Sequence, residues 1–122
     1  VDRRQRQMCI RDSNRTCFFN NIVKKEYVEK NPLTVLESVY AVIVDRMKNP
    51  KEDSYTNAVM EKGIDEILKK LGHECTEIIL AAKNPDSDDL KFEISDFMYH
   101  CMILMAQKNI TWAEIAGELA QR

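Results

Sequence analysis

Between Phe97 and Ala106 every residue except His100 is hydrophobic. A helix carrying such a run is apolar on all sides and has to be covered on all sides. This requirement limits the chain to architectures in which one helix lies inside a bundle. The chain has 122 residues, enough for one domain with a modest core. With 31% charged residues but only three Gly and three Pro, the composition favours helices over strands. A domain with few other helices cannot enclose the 97–106 segment alone, so a partner subunit is implied.

The other apolar residues follow helical spacing. Leu33, Leu36, Val39, Tyr40, Ile43 and Met47 recur at the i, i+3, i+4, i+7 positions of an amphipathic helix, which should stop at Asn49-Pro50. Ser54 or Thr56 can cap a short helix through Lys62, and Gly63 breaks or bends the chain after it. A longer helix is expected from Ile64 to about Lys83. Its apolar stripe is Ile64, Ile67, Leu68, Leu71, Cys75, Ile78, Ile79 and Ala82. The turn Asn84-Pro85-Asp86-Ser87-Asp88-Asp89 caps the next helix, Leu90 to Lys108. Thr111 and Glu114 form a capping box for a last helix running to about Gln121. The expected fold is all-α, with four or five helices in an intertwined homodimeric bundle.

Charge and cysteine usage exclude several classes. A net charge of −2 implies no strongly basic face, so no nucleic-acid partner is expected. No apolar run approaches the roughly 20 residues of a membrane span, and the basic N-terminus lacks the apolar segment of a secretory signal. Cys9, Cys17, Cys75 and Cys101 show no CxxC spacing. Cys75 and Cys101 fall within helical apolar patterns and read as buried free thiols of a reducing, cytoplasmic compartment.

Two acid pairs at i, i+3 carry the chemical signal: Glu74 with Glu77 on the third helix, and Glu93 with Asp96 on the fourth. Residues three apart share a helix face, so each pair offers two carboxylates in one direction. The spacing is common, and Glu26/Glu29 and Asp86/Asp89 share it. Position on the helical wheel separates the pairs. Glu74 lies at the edge of its apolar stripe with Glu77 just beyond, while Glu93 falls inside its stripe, flanked by Asp96 and His100. Acids pointing into a bundle interior are costly without compensation, and four carboxylates brought together repel. A hard divalent cation resolves the conflict; Mg²⁺ takes one or two carboxylates, keeps waters and accepts phosphate oxygens. The competing reading is a set of stripe-edge acids paired with lysines, such as Lys70 with Glu74.

An E-x-x-E pair followed after a turn by E-x-x-D resembles the signature of the MazG-like all-α nucleoside triphosphate pyrophosphohydrolases. The words DRMKNP (45–50), SYTNAVMEKG (54–63), KKLGHECTEIILAAKN (69–84), EISDFMYH (93–100) and the C-terminal ITWAEIAGELAQR narrow the resemblance to the phosphoribosyl-ATP pyrophosphohydrolase family. The resemblance covers about 33–122. It implies a MazG-like bundle and hydrolysis of phosphoribosyl-ATP to phosphoribosyl-AMP and pyrophosphate in histidine biosynthesis. It implies further that Glu74, Glu77, Glu93 and Asp96 hold one or two Mg²⁺, which neutralise phosphate oxygens and acidify the attacking water. Glu77 is the candidate for accepting the proton from water. Arg46 is the best candidate phosphate contact, because a guanidinium grips phosphate bidentately; Lys62, Lys69, Lys70 and Lys83 are weaker ones. His100 is placed to orient a carboxylate from an outer shell, or is a satisfied core histidine. Trp112 and the methionines read as core or dimer interface rather than an adenine platform. His73 departs from the family's usual Glu at that position, and the wheel places it on the solvent side.

Residues 32–122 form this domain. Residues 14–31, with CFF followed by a charged stretch, resemble the C-terminus of the phosphoribosyl-AMP cyclohydrolase domain that precedes the pyrophosphohydrolase in bifunctional enzymes. Cys17 matches the last of that family's three zinc cysteines; the other two are absent, and one thiolate cannot make a zinc site. Residues 1–13, VDRRQRQMCIRDS, are basic and aperiodic and resemble translated adapter sequence; an ordinary disordered arm is the alternative. Two other functions stay open: a house-cleaning pyrophosphohydrolase acting on other nucleotides, and a non-catalytic helical dimerisation module.

Overall fold

The computed structural model describes residues 31–122, so the expectations for 1–13 and 14–30, including those for Cys9 and Cys17, lie outside the described residues. The described residues form five helices and no strand: α1 Thr34–Lys48, α2 Tyr55–Glu61, α3 Ile64–Ala82, α4 Ser87–Gln107 and α5 Trp112–Ala120. The all-α expectation and the order of elements hold. A short turn at 83–86 folds α4 back along α3, and these two helices make the most extensive packing in the chain. Helix α1 lies against α4, and α2 bridges α1, α3 and α4.

Local chemistry explains most boundaries. Ser54 caps α2 by accepting a hydrogen bond from Asn57 N at 3.2 Å, which leaves Thr56 to another task. Gly63 turns the chain into α3 at φ 95° and ψ −177°, a conformation that only glycine adopts without strain. Helix α4 starts at Ser87, three residues earlier than expected. Asp86 accepts from Asp88 N at 2.9 Å, and Asp88 and Asp89 occupy the first turn, where the helix dipole favours negative charge. Its C-terminus closes as a Schellman motif. Asn109 sits at φ 58°, Ile110 N donates to Met105 O at 2.9 Å and Asn109 N to Ala106 O at 3.3 Å. The capping box of Thr111 and Glu114 forms as expected.

Ile43 of α1, Val59 of α2, Ile67 of α3 and Met102, Ile103, Met105 and Ala106 of α4 make up the core. The 97–106 segment is thus more fully covered within one chain than its composition implies: Ile103 is 0% exposed and Met102 3%. Apolar surface is left uncovered elsewhere. On α3, Ile67 is buried and Ile64, Leu71 and Ile78 are half-buried, but Leu68, Cys75, Ile79 and Ala82 are exposed. Helix α4 packs on the edge of the apolar stripe that carries Ile67, Glu74 and Ala81, at seven-residue spacing, rather than on its centre. Cys75 and Cys101 are free thiols, but Cys75 is exposed and Cys101 half-buried, so the expectation that both are buried is corrected. Burial pushes the Cys101 thiol above its ordinary value, and the neighbouring Cys75 adds to the shift.

Two long-range hydrogen bonds tie α1 to the C-terminal helix. Trp112 Nε1 donates to Leu36 O at 3.2 Å, and the Tyr40 hydroxyl donates to Ile110 O at 2.6 Å. Trp112 also packs against the core, in keeping with a structural role. Desolvation, with a smaller contribution from the Glu114 carboxylate, raises the Tyr40 pKa above its ordinary 10.0, so the donor proton is retained at neutral pH. Tyr40→Phe is expected to cost about 1 kcal/mol at neutral pH. Because the folded pKa is raised, this contribution is fully present below the unfolded value and is lost as pH rises through the folded one. Chemical denaturation of both proteins at pH 7 and in alkali checks this: the difference in stability should shrink in alkali.

A buried carboxylate site across the long hairpin

The acid pairs sit on the two helices of the α3–α4 hairpin, and the hairpin turns them toward each other. Glu74 is 4% exposed, Glu93 4% and Asp96 1%, which for ionisable side chains in a domain this small is unusual. A carboxylate oxygen of Glu74, a carboxylate oxygen of Asp96 and a ring nitrogen of His100 all lie within 4.8 Å of one another. Glu93 is buried one turn before Asp96, and Glu77 is half-buried one turn after Glu74; both fall outside that closest group. Helical periodicity placed Glu74 at the stripe edge, and this is the edge that α4 covers.

His100 is 3% exposed and fully engaged. Its Nδ1 lies 2.8 Å from the backbone carbonyl of Asp96 and 3.4 Å from Asp96 Oδ1. A carbonyl only accepts, so Nδ1 carries the proton. In the neutral ring Nε2 is then an acceptor, and the Tyr55 hydroxyl donates to it at 2.7 Å. Both nitrogens are committed, so the oxygens of Glu74 and Asp96 are the donors the group offers a cation. A buried pair of hard carboxylate oxygens suits a hard divalent cation. One oxygen each of Glu74, Glu93 and Asp96 (Oε2, Oε1 and Oδ2) is buried with no hydrogen bond, while the rest of each side chain keeps its contacts.

The candidate cations differ in exposure. Arg46 is 2% exposed, with Nη1 3.6 Å from Asp45 Oδ2, so it is an interior guanidinium rather than a surface arm. Lys62, Lys69 and Lys83 are exposed. Lys70 is half-buried and pairs at 3.9 Å with Glu66, one turn before it; Glu74 lies one turn after it. His73 is exposed, as the wheel indicated.

The residue that sequence reasoning passed over is Tyr55. It lies inside the word SYTN, where Ser54 and Thr56 carry capping potential and the longer SYTNAVMEKG carries family resemblance. In the fold each residue of that word is used. Ser54 caps α2, Tyr55 bonds His100, Thr56 Oγ1 lies 2.8 Å from the Tyr99 hydroxyl, and Asn57 Nδ2 donates to Arg46 O at 2.8 Å. A tyrosine at the first position of a seven-residue helix, amid polar residues with no helical stripe of its own, was the available signal.

An all-α bundle with buried carboxylates facing across its long hairpin defines the MazG-like class. The sequence pattern of the phosphoribosyl-ATP pyrophosphohydrolase family matches residues 36–122, and the chain belongs to that family. It is 51% identical over 90 residues to the phosphoribosyl-ATP pyrophosphatase of Clostridium novyi, a match covering 74% of this chain and 82% of that protein. It is 47% identical over 93 residues to the enzyme of the same name from Bacillus cereus, covering 76% and 84%. The histidine biosynthesis bifunctional protein HisIE of Caldanaerobacter subterraneus is 42% identical over 109 residues, covering 89% of this chain; the chain spans about half of that longer relative, 52%.

Asp96→Asn and Glu74→Gln keep side-chain shape while removing one buried negative charge. Without added metal these variants are expected to melt at or above the wild-type temperature. With Mg²⁺ the wild type should gain stability by mass action and the variants should gain less. Thermal melts with and without Mg²⁺ check this; lysine-paired acids would give the reverse, a lower melting point and no response to the ion.

Proposed function

We propose that the chain hydrolyses phosphoribosyl-ATP to phosphoribosyl-AMP and pyrophosphate, in the histidine pathway, at the Glu74–Asp96 site. The observation that carries this reading is the convergence of Glu74, Asp96 and His100 within 4.8 Å, in a chain whose residues 36–122 match the family. The chain is an enzyme of this family, a hydrolase acting on a phosphoric anhydride.

The site residues take the following roles in this proposal. Glu74 and Asp96 from the closest group, with Glu93 and Glu77 one turn away on their respective helices, hold one or two Mg²⁺. The bound ions would screen the triphosphate oxygens and favour the charge that develops on the leaving pyrophosphate. Glu77, half-buried rather than enclosed, is the carboxylate best placed to meet water and accept its proton. His100 orients Asp96 through Nδ1. The exposed Lys62, Lys69 and Lys83, with Lys70, supply positive charge to incoming phosphates, and Arg46 does so from within the fold. A cytoplasmic location follows from the biosynthetic role, and no helix among the described residues is long and apolar enough to cross a membrane.

Residues 14–31 are proposed to derive from the C-terminus of a cyclohydrolase-type domain and its linker. The match to the bifunctional relative takes in 109 residues, more than 36–122 can supply. Residues 1–13 remain proposed as non-native, adapter-like sequence.

Glu77→Gln is expected to reduce pyrophosphate release from phosphoribosyl-ATP at least about 100-fold, the contribution of a positioned general base. The wild type should prefer this substrate over free nucleoside triphosphates. Equal activity of wild type and variant would remove Glu77 from the mechanism, and a preference for free triphosphates would favour a house-cleaning role.

The chain is further proposed to form a homodimer through the uncovered centre of the α3 stripe, where Leu68 is 47% and Ile79 62% exposed. Leu68→Asp or Ile79→Asp should convert dimers to monomers, because the new charge would be desolvated without a partner. Sedimentation velocity checks this; a wild-type chain that sediments as a monomer overturns it.

A further inference from the structure

Helix α2 is short and contributes few core residues, yet its first turn reaches directly into the interior of α4. Tyr55 bonds His100, and Thr56 bonds Tyr99, the residue beside it. The two contacts differ in what lies behind them. Tyr99 leads to the hydrophobic core, against which it packs. His100 leads to Asp96, through the Nδ1 bond to the backbone carbonyl at 2.8 Å and the side-chain approach at 3.4 Å.

The imidazole has one free torsion that matters here, rotation of the ring about its bond to Cβ. A half-turn would take the Nδ1 proton away from Asp96. Two constraints oppose that turn. One is the pair of hydrogen bonds, in which Nδ1 donates and, in the neutral ring, Nε2 accepts. The other is packing: the Tyr55 and Tyr99 rings meet the imidazole edge-on, at 5.6 and 6.1 Å between centroids and interplanar angles of 82° and 75°. On the Nε2 side the Tyr55 hydroxyl distinguishes the two nitrogens. A partner that fixes tautomer and ring orientation behind a metal-binding group tunes how well that group binds.

We propose that Tyr55 is a positioning residue for the carboxylate site: its hydroxyl fixes the orientation and tautomer of His100, which in turn holds the Asp96 carboxylate facing Glu74. Tyr55 touches neither substrate nor cation and acts through His100. The inference rests on the proposed cation site at Glu74 and Asp96 and assigns control of it to α2, a helix outside the hairpin that carries the acids. The word SYTN then has a divided purpose. Ser54 and Asn57 hold the helix start in place, Thr56 anchors it to the core through Tyr99, and Tyr55 transmits that placement to the site.

The test measures Mn²⁺ binding to the full, metal-free chain by calorimetry, beside kcat and KM for phosphoribosyl-ATP hydrolysis. Tyr55→Phe removes the hydroxyl and keeps the ring. It is expected to weaken Mn²⁺ binding about 10-fold, the lower end of the range for groups behind metal ligands, and to lower kcat more than it raises KM. His100→Asn keeps a donor near the Nδ1 position but loses the atom facing Tyr55, so it should weaken binding similarly. The double variant should be no worse than His100→Asn alone, since the two residues act in series. Thr56→Val serves as the structural control: it loosens the same helix and frees the Tyr99 hydroxyl but removes neither hydrogen bond of His100, so it should lower the melting temperature while leaving Mn²⁺ affinity unchanged.

Wild-type Mn²⁺ affinity in Tyr55→Phe overturns the proposal, as do additive losses in the double variant or an equal loss in Thr56→Val. If Tyr55→Phe does not fold, His100→Asn against Thr56→Val decides the matter by the same comparison. Failure of the underlying site shows differently: Asp96→Asn would then bind Mn²⁺ as tightly as wild type, which overturns the cation site and the role of Tyr55 together.

Discussion

The hairpin of α3 and α4 encloses carboxylates, and the rest of the domain is arranged around that fact. Removing an ionised side chain from water is costly unless charge or hydrogen bonds replace the solvent. Glu74, Glu93 and Asp96 are nevertheless among the most enclosed side chains present. A stability-driven sequence would place apolar residues there, as it does at Ile67 and Ile103 on the same two helices. Acids enclosed at these points oppose folding, and the remaining helices must supply the stability that the hairpin gives up.

Their contributions are separable. Helix α1 offers Ile43 and its neighbours to the apolar end of α4, and its bonds through Tyr40 and Trp112 anchor α5 and the preceding loop. Helix α2 stabilises little by area but spans the polar end, where Tyr55 and Thr56 meet His100 and Tyr99. Helix α4 is thus graded along its length: acids toward the turn, an imidazole in the middle, then Met102 to Ala106 in the core. The grading lets one helix present a polar site and still be held by hydrophobic packing.

Membership of the phosphoribosyl-ATP pyrophosphohydrolase family fits this division of labour. The proposed metal-assisted hydrolysis of a phosphoric anhydride would ask the protein for fixed negative charge to hold cations and for little covalent participation. Enclosed carboxylates on rigid helices meet that demand better than acids on loops would, because helix backbones hold their spacing. The exposed Leu68 and Ile79 on α3 show the same economy of surface, since α4 uses one edge of the stripe and leaves its centre open.

The sequence by itself determined the elements. Periodicity, Asn49-Pro50, Gly63, the Asp86 turn and the Thr111–Glu114 capping box are local signals, each acting within a few residues, and the helices begin and end close to where they point. The inward position of three of the acids was legible for the same reason, as i, i+3 pairs on predictable faces, and the family words suggested a chemistry for them. Tertiary structure decided what one helix meets on another. It set that α4 covers the Glu74 edge of α3 rather than the stripe's centre, and that the second half of the 97–106 segment is largely buried within its own chain. It set Tyr55 against His100, a contact between residues 45 positions apart. Such contacts depend on the angle and offset at which helices pack, which arise from the fit of many side chains at once, and no spacing within a single helix encodes them.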